Sequence, residues 1–146
     1  ALRRTNELFV VMAFRPETDE FYTRAIDPAA RAAGLEPFVI NRRDTEEPNS
    51  EAILSGIRRA LLVVCDSSFA RPNCYFEAGY AKGAFRRIVF TARKDHDPRA
   101  GAAGDLRVHF DVDQFRITWW DPADLEPARA EIESRLRAVA AEVLGG

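Results

Sequence analysis

The chain has 146 residues, of which 47% are hydrophobic and 30% charged, and its formal net charge is -2. This length and composition are typical of one globular domain with its own core, which we expect to span residues 1–146. The near-neutral charge argues against nucleic acid or an anionic membrane as a partner. Without a signal peptide or a long apolar run the sequence indicates a cytoplasmic protein. Its start without Met fits a domain excised from a longer chain.

Apolar runs of strand length recur along the chain and alternate with stretches of helical periodicity. Most of these runs are uninterrupted, which is typical of strands covered by helices on both faces. We predict strands at 8–12, 37–40, 61–65, 87–91 and 115–120. We predict helices at 16–33, from 49 or 50 onwards, at 75–84, and from 121 onwards.

Individual residues indicate where these helices begin, bend and end. Thr18 is a candidate cap of the first helix, Pro28 is expected to kink or split it, and Gly34 to end it. Asn73 is a candidate cap of the helix at 75–84. The segment 92–108 has no apolar periodicity, so we expect a functional or mobile loop there.

The order of these elements predicts the fold class. Strand and helix alternate five times, which implies an α/β fold: a parallel five-stranded sheet with helices on both faces, joined by right-handed crossovers. A split α+β arrangement would need hairpin signals such as Asn-Gly between apolar runs, and the sequence has none.

The loops that follow the strands of such a sheet share one edge, where ligands bind. Hydroxyl, carboxylate, guanidinium and aromatic side chains are expected there, a mixture that suits a ligand with a ribose, an anionic group and a flat ring. The candidate binding residues are Phe14, Arg15, Arg43, Asp44, Ser67, Asn73 and Tyr75, beside the carboxylates of Asp66 and Glu77.

Glu77 is the one charged side chain in the segment 72–81, among aromatic and small residues. Burial strengthens the electrostatic interactions of a carboxylate, which is one way in which enzymes make a Glu useful for chemistry. Spacing alone leaves alternatives open: Glu77 as a solvent-facing residue favoured by the helix dipole, and Asp66 as a turn residue. Arg43 is likewise either half of a solvated charge pair or a phosphate ligand.

Several site motifs are absent from the sequence. There is no G-x-G-x-x-G after the first strand, no Walker lysine loop and no G-x-S-x-G elbow. His96 and His109 lack paired ligand spacing, and Cys65 and Cys74 match neither a metal-ligand nor a disulfide pattern. We therefore expect no metal site and no His-based triad, which leaves carboxylates to carry any acid–base chemistry.

Three segments together resemble a known family. They are Met-Ala-Phe at 12–14, Asp-Ser at 66–67, and Arg-Pro-Asn-Cys-Tyr-Phe-Glu-Ala-Gly-Tyr-Ala at 71–81, with a further similarity at 109–117. Over roughly residues 8–120 the chain resembles nucleoside 2-deoxyribosyltransferase-like proteins, and among them most closely the bacterial TIR-like branch. The third segment commonly reads Asn-Pro-Asn-Val-Tyr-Tyr-Glu-Leu-Gly-Tyr-Ala in that branch. Ala13 departs from the family, which usually has Pro at this position.

The resemblance implies a flavodoxin-like sheet and a site for a nucleoside or nucleotide. In the transferases the Glu of this motif attacks the anomeric carbon, and the Asp at the strand end assists. In TIR-type relatives the equivalent Glu supports cleavage of the nicotinamide–ribose bond of NAD. Carried over to this sequence, Glu77 is the catalytic candidate, with Asp66, Ser67 and Asn73 beside it.

We therefore hypothesise an N-glycosidase or base-exchange enzyme, with NAD as a substrate rather than a cofactor and no other cofactor. Glu77 would stabilise an oxocarbenium-like ribose, Asp66 would orient the ribose or activate water, and Arg15 or Arg43 would hold phosphate. The alternative is a non-catalytic nucleotide-sensing or self-association domain of a signalling or antiviral defence protein. Self-association is expected in either case. A flavin protein fits less well, since the first loop lacks a Ser/Thr-rich phosphate-binding stretch.

Overall fold

The structure is a computed structural model that describes residues 5–40, 50–70, 72–97, 99 and 116–145. In chain order its elements are β1 (Glu7–Val11), α1 (Pro16–Phe21), a π-helical segment (Tyr22–Ile26), α2 (Asp27–Ala32), β2 (Glu36–Phe38), α3 (Ser50–Arg59), β3 (Leu62–Asp66), a 3-10 turn (Ser68–Ala70), α4 (Pro72–Gly83), β4 (Arg87–Arg93), a second 3-10 turn (Lys94–His96), β5 (Ile117–Trp120) and α5 (Glu126–Gly145).

The described strands form one parallel sheet of five, in the order β2-β1-β3-β4-β5. From β1 the chain moves to one side of the sheet, and from β3 it moves to the other. The strand order therefore reverses between β1 and β3, and this reversal opens a crevice at the carboxyl ends of the two strands. The predicted α/β fold, with a parallel five-stranded sheet and helices on both faces, is confirmed.

The sheet has a separate hydrophobic core on each face, and this explains the uninterrupted apolar runs. Along β1, Leu8 and Val10 contribute to one core, while Phe9 and Val11 contribute to the other. The first core also contains buried residues of α1, α2 and α5, and the second those of α3 and α4. Each buried large apolar side chain stabilises the fold by roughly 1.5–3 kcal/mol.

Helix α3 packs against β1 with little space between them. A Cβ atom placed on Gly56 would lie 2.9 Å from the Phe9 ring and 3.2 Å from the Phe38 ring. These separations are shorter than van der Waals contact between carbon atoms. The absence of a side chain at Gly56 therefore sets how closely α3 approaches the sheet.

Thr18 was the predicted candidate for the cap of the first helix, and this prediction is wrong. Helix α1 begins at Pro16, which makes Arg15 the cap residue and places Thr18 at the third helical position. The Thr18 hydroxyl accepts the Arg15 backbone N–H over 3.0 Å and donates to the Ala13 carbonyl over 2.5 Å. This fully buried side chain therefore fixes the loop between β1 and α1.

Pro28 splits the first helical stretch, as predicted. The segment from 22 to 26 is π-helical, and Pro28 is the second residue of α2. Because proline has no N–H to donate to the preceding turn, the wider turn occurs where an α-helical bond is missing. Gly34, with φ of 77°, ends α2, and the Leu35 N–H donates to the Ala30 carbonyl over 2.9 Å. This pairing is the helix-ending arrangement that favours glycine.

Two further predicted boundaries are wrong. Helix α4 begins at Pro72, so Asn73 lies inside its first turn rather than before it as a cap. Proline suits a first helical position because its fixed φ is already helical and its missing N–H has no partner to lose. The predicted loop from 92 begins too early, because β4 continues to Arg93 and a 3-10 turn follows. Most of the predicted loop lies outside the described residues.

The last helix begins later than predicted, at Glu126 instead of 121. The intervening residues form a turn in which the Asp124 N–H donates to the Asp121 carbonyl over 3.0 Å. The Asp121 carboxylate also accepts the Ala123 N–H over 2.9 Å. The acidic side chain and Pro122 therefore make a turn, where the sequence had been interpreted as a helix start. No helix in the described part of the chain is long and apolar enough to cross a membrane.

Candidate functional site

The carboxyl ends of β1 and β3 are adjacent, and their loops flank the point where the strand order reverses. Val11 pairs with Cys65 in the parallel register of these strands. The segment 12–15 follows β1, and the segment 67–70 follows β3 and leads into α4. In sheets of this order ligands bind in the crevice at that point.

A small pocket opens on one side of this crevice, with a cavity volume of about 10 Å³. The Glu77 side chain reaches it from α4 and is 6% exposed. The other described residues of the lining are apolar and come from β1, from the segments after β1 and β2, and from α3: Phe9, Val10, Val11, Met12, Phe14, Val39, Ile40 and Ile53. Glu77 is thus the one charged side chain among the described residues of the lining, and its burial strengthens charge interactions there.

The packing of α4 explains why Glu77 is buried. Cys74, Ala78 and Ala81 recur at helical spacing and are buried against the core beneath α3 and α4. Glu77 lies next to this stripe, whereas Phe76 is on the opposite side and is 66% exposed. The solvent-facing alternative for Glu77 therefore does not hold for this conformation.

Asp66, the last residue of β3, is fully buried and accepts hydrogen bonds from three donors. Its Oδ2 accepts the Thr91 hydroxyl over 2.7 Å and the Trp120 indole N–H over 2.8 Å. Its Oδ1 accepts the Ser68 backbone N–H over 3.0 Å. Burial raises the pKa of Asp66 above its ordinary value, while these hydrogen bonds act in the opposite direction. The carboxylate links the ends of β3, β4 and β5.

The loop after β3 contains a residue in an unusual conformation. Phe69 has φ of 66° and ψ of 8°, a left-handed geometry that residues other than glycine rarely adopt. Its backbone N–H donates to His96 Nδ1 over 3.2 Å, and its ring meets the His96 ring edge-on at 4.9 Å. Because Nδ1 accepts a hydrogen bond, His96 is in its neutral form here. Burial of this side chain correspondingly lowers the pKa of His96.

Two guanidinium groups lie against the Phe69 ring. The Arg15 guanidinium carbon is 4.2 Å from the ring centroid, and that of Arg93 is 5.7 Å away. Arg93 also forms a two-pronged ion pair with Asp95, at 2.9 and 2.7 Å. The Arg93 backbone N–H donates to Ser68 Oγ over 2.8 Å, and this bond joins the end of β4 to the loop after β3.

The structure brings several predicted site residues together at this edge. Phe14 lines the pocket with Glu77, and Arg15 follows it in the same loop. Ser67 is buried next to Asp66, and its backbone N–H donates to the Thr91 carbonyl over 2.8 Å. The loop between β1 and α1 therefore connects the pocket to Arg15, which lies on the Phe69 ring with Arg93.

The structure says less about the other predicted site residues. Tyr75 is half-buried and packs against the core beneath α3 and α4. Asn73 lies in the first turn of α4, near the crevice. Arg43 and Asp44 lie outside the described residues. For all of these residues, as for Glu77 and Asp66, a role in binding or catalysis stays a prediction.

Sequence reasoning missed residues that shape the site. Trp120 was not among the predicted site residues, although a buried indole N–H needs an acceptor, and this need was a usable signal. His96 was set aside because it lacked a metal-ligand spacing, yet it fixes the Phe69 loop. Nothing in the sequence marks Phe69 as left-handed. No group of three or more His, Cys, Asp or Glu side chains that could hold a metal ion occurs among the described residues.

Comparison with known proteins finds a similar fold. A solved structure described as "2-desoxiribosyltransferase from Leishmania mexicana" aligns with a TM-score of 0.54 at 17% sequence identity. The alignment covers 88% of this chain and 97% of the other. No family model and no curated protein matches the chain. At this identity the likeness shows a shared fold, in agreement with the flavodoxin-like sheet expected from the sequence.

Proposed function

We propose that this protein cleaves or exchanges the N-glycosidic bond of a nucleoside or nucleotide, with NAD as the leading substrate. The observation that carries the proposal is the Glu77 carboxylate, buried in an apolar pocket where the strand order reverses. A lining whose described residues are apolar apart from one negative group suits a nucleobase joined to a sugar that becomes positively charged during reaction.

The chemistry needs a negative group close to the anomeric carbon. As the bond between C1′ and the base nitrogen breaks, its electron pair leaves with the base and the ribose becomes oxocarbenium-like. Glu77 stabilises this cation, or bonds to C1′ through a carboxylate oxygen in a bond that breaks when the acceptor adds. Water then adds to C1′ and releases a proton, to solvent when neutral nicotinamide has left or to the departing base when it has left as an anion, which completes hydrolysis. When a second base adds instead, the result is base exchange.

Asp66 has a supporting part in this proposal. Its two oxygens already accept three hydrogen bonds and its side chain is fully buried. We therefore assign Asp66 to positioning the loop after β3, which carries Ser67 and Phe69, rather than to contact with the substrate. The sequence resemblance and the fold of the deoxyribosyltransferase neighbour support the general class of reaction.

Base release from a panel of substrates tests the proposal. NAD, NADP, nucleoside monophosphates and nucleosides would be incubated with concentrated protein, and free base measured by chromatography. We expect release from at least one member of the panel. Binding without release by any of them would contradict an enzymatic role and would favour the nucleotide-sensing alternative.

A further inference from the structure

Two buried polar atoms at the crevice lack a hydrogen-bond partner among the residues that the structure describes: Arg15 Nε and Ser67 Oγ. Arg15 follows β1 and Ser67 follows β3, and these strands are hydrogen-bonded neighbours. Both residues therefore follow the carboxyl ends of adjacent strands, and Arg15 stacks on the ring of Phe69, two residues after Ser67. Buried polar groups in folded proteins nearly always have partners, so a pair without them indicates a missing one.

The described residues around these atoms do not supply this partner. Cys65 lies near the Ser67 hydroxyl, but its thiol is directed to the Cys74 carbonyl at 3.8 Å. A thiol is in any case a weak hydrogen-bonding group. Arg15 has no ion pair with any described residue, whereas Arg93 on the same ring is paired with Asp95. Arg15 thus carries a positive charge with no counter-charge in contact within the described part of the chain.

The Arg15 guanidinium is also held in a fixed orientation. Its stacking on the Phe69 ring at 4.2 Å limits how the planar group can rotate. The ring is itself fixed, because His96 accepts the Phe69 N–H and packs against the ring edge. A left-handed residue costs free energy and persists where its surroundings enforce it, which is frequent at ligand sites.

We propose that Arg15 and Ser67 bind a phosphate group, so that the substrate class is nucleotides rather than free nucleosides. This inference rests on the proposed function, which places the nucleoside part in the Glu77 pocket. Phe14 lines that pocket and Arg15 is the next residue, so base and ribose at Glu77 bring a 5′-phosphate towards Arg15. Phe69 and His96 are positioning residues for the guanidinium, whereas Arg93 stays paired with Asp95.

Paired ligands that differ only by phosphate test this subsite. Binding of AMP against adenosine, and of ribose 5-phosphate against ribose, would be measured by calorimetry for the parent, for Arg15→Gln and for Arg24→Gln. Arg24 is an exposed arginine paired with Glu20 and serves as the matched control. We expect the phosphorylated ligand to bind the parent and Arg24→Gln about tenfold or more tightly than its partner, and Arg15→Gln to lose this preference. Binding of inorganic phosphate alone, measured in the same way, would show whether the subsite needs the sugar to bind phosphate.

The result separates this inference from the proposed function. Equal affinities for AMP and adenosine in the parent, or an equal loss of both in Arg15→Gln, would overturn the phosphate subsite even if base release is observed. An Arg15-dependent preference for ribose 5-phosphate would uphold it even if no base is released.

The positioning role of Phe69 has its own variant. Phe69→Gly keeps a residue that adopts positive φ readily but removes the ring under Arg15. We expect this variant to retain its melting temperature within a few degrees while its preference for AMP over adenosine falls towards that of Arg15→Gln. An unchanged preference would show that the ring does not orient the guanidinium.

Discussion

The indole N–H of Trp120 donates to Asp66 Oδ2 over 2.8 Å and joins residues 54 positions apart in the chain. The Trp120 ring also stacks on Phe21, with centroids 4.3 Å apart and an angle of 10° between the planes. One side chain therefore connects the buried carboxylate beside the site to the core beneath α1. Trp120 is itself fully buried.

Replacing Trp120 with Phe separates these two contacts. The stack on Phe21 can persist, but Asp66 loses a donor while remaining buried. We expect the free energy of unfolding to fall by about 1–3 kcal/mol, measured by urea denaturation. Trp119→Phe is the control, because Trp119 is only half-buried and faces the other core. Equal losses in the two variants would show that the hydrogen bond to Asp66 contributes nothing specific.

Thr18→Val tests the loop that carries Phe14 and Arg15. Valine has nearly the same shape as threonine but cannot accept the Arg15 N–H or donate to the Ala13 carbonyl. We expect a loss of about 1–3 kcal/mol in the free energy of unfolding, because two backbone groups lose a buried partner. Thr23→Val makes the same change at an exposed position and should be close to neutral. If Thr18→Val is as stable as Thr23→Val, the hydroxyl does not fix this loop.

Stability should depend on pH through His96. Burial lowers the pKa of His96 in the folded protein below 6.5. At pH values between the folded and unfolded pKa the unfolded chain therefore binds more protons than the folded one. The contribution of His96 is therefore complete above pH 6.5 and is lost as pH falls towards the folded pKa. His96→Asn keeps an acceptor for the Phe69 N–H but does not titrate. Urea midpoints of the parent should fall relative to this variant below pH 6.5, and parallel curves would contradict the assignment.

Gly56→Ala tests the close approach of α3 to the sheet. The new methyl group would overlap the Phe9 and Phe38 rings. We expect a loss of about 1–3 kcal/mol through overpacking. Gly83→Ala, at the end of α4, meets no atom within 4 Å and should be neutral or slightly stabilising. A neutral Gly56→Ala would show that the rings move aside freely.

The sequence predicted the elements best where burial alone determines them. Residues 61–65 were assigned to a strand because they are apolar without interruption, and β3 is found at Leu62–Asp66 between two cores. Pro28 and Gly34 act as their backbone chemistry requires. Helix boundaries that are set by turns were harder to predict. An acidic residue followed by proline at 121–122 fits a turn as well as a helix start.

The site was only partly predictable, because its parts meet through tertiary structure. The residue types at the sheet edge could be deduced from strand order, and burial of Glu77 follows from the stripe of Cys74, Ala78 and Ala81. Two of the three hydrogen-bond donors to Asp66 lie 25 and 54 positions away in the chain, and sequence spacing cannot show such pairings. The left-handed Phe69 has no local signature, since its conformation is enforced by His96 and the surrounding loop.

The most direct test of the proposed function is the rate of base release by Glu77→Gln on the best substrate of the panel. Glu142→Gln is the control, since Glu142 pairs with Arg87 on the surface at the opposite edge of the sheet. Glutamine preserves the size of the side chain but removes the charge that stabilises the oxocarbenium-like ribose. We expect kcat to fall by about a hundredfold or more in Glu77→Gln and to stay unchanged in Glu142→Gln. Equal rates in the parent and Glu77→Gln would contradict the account.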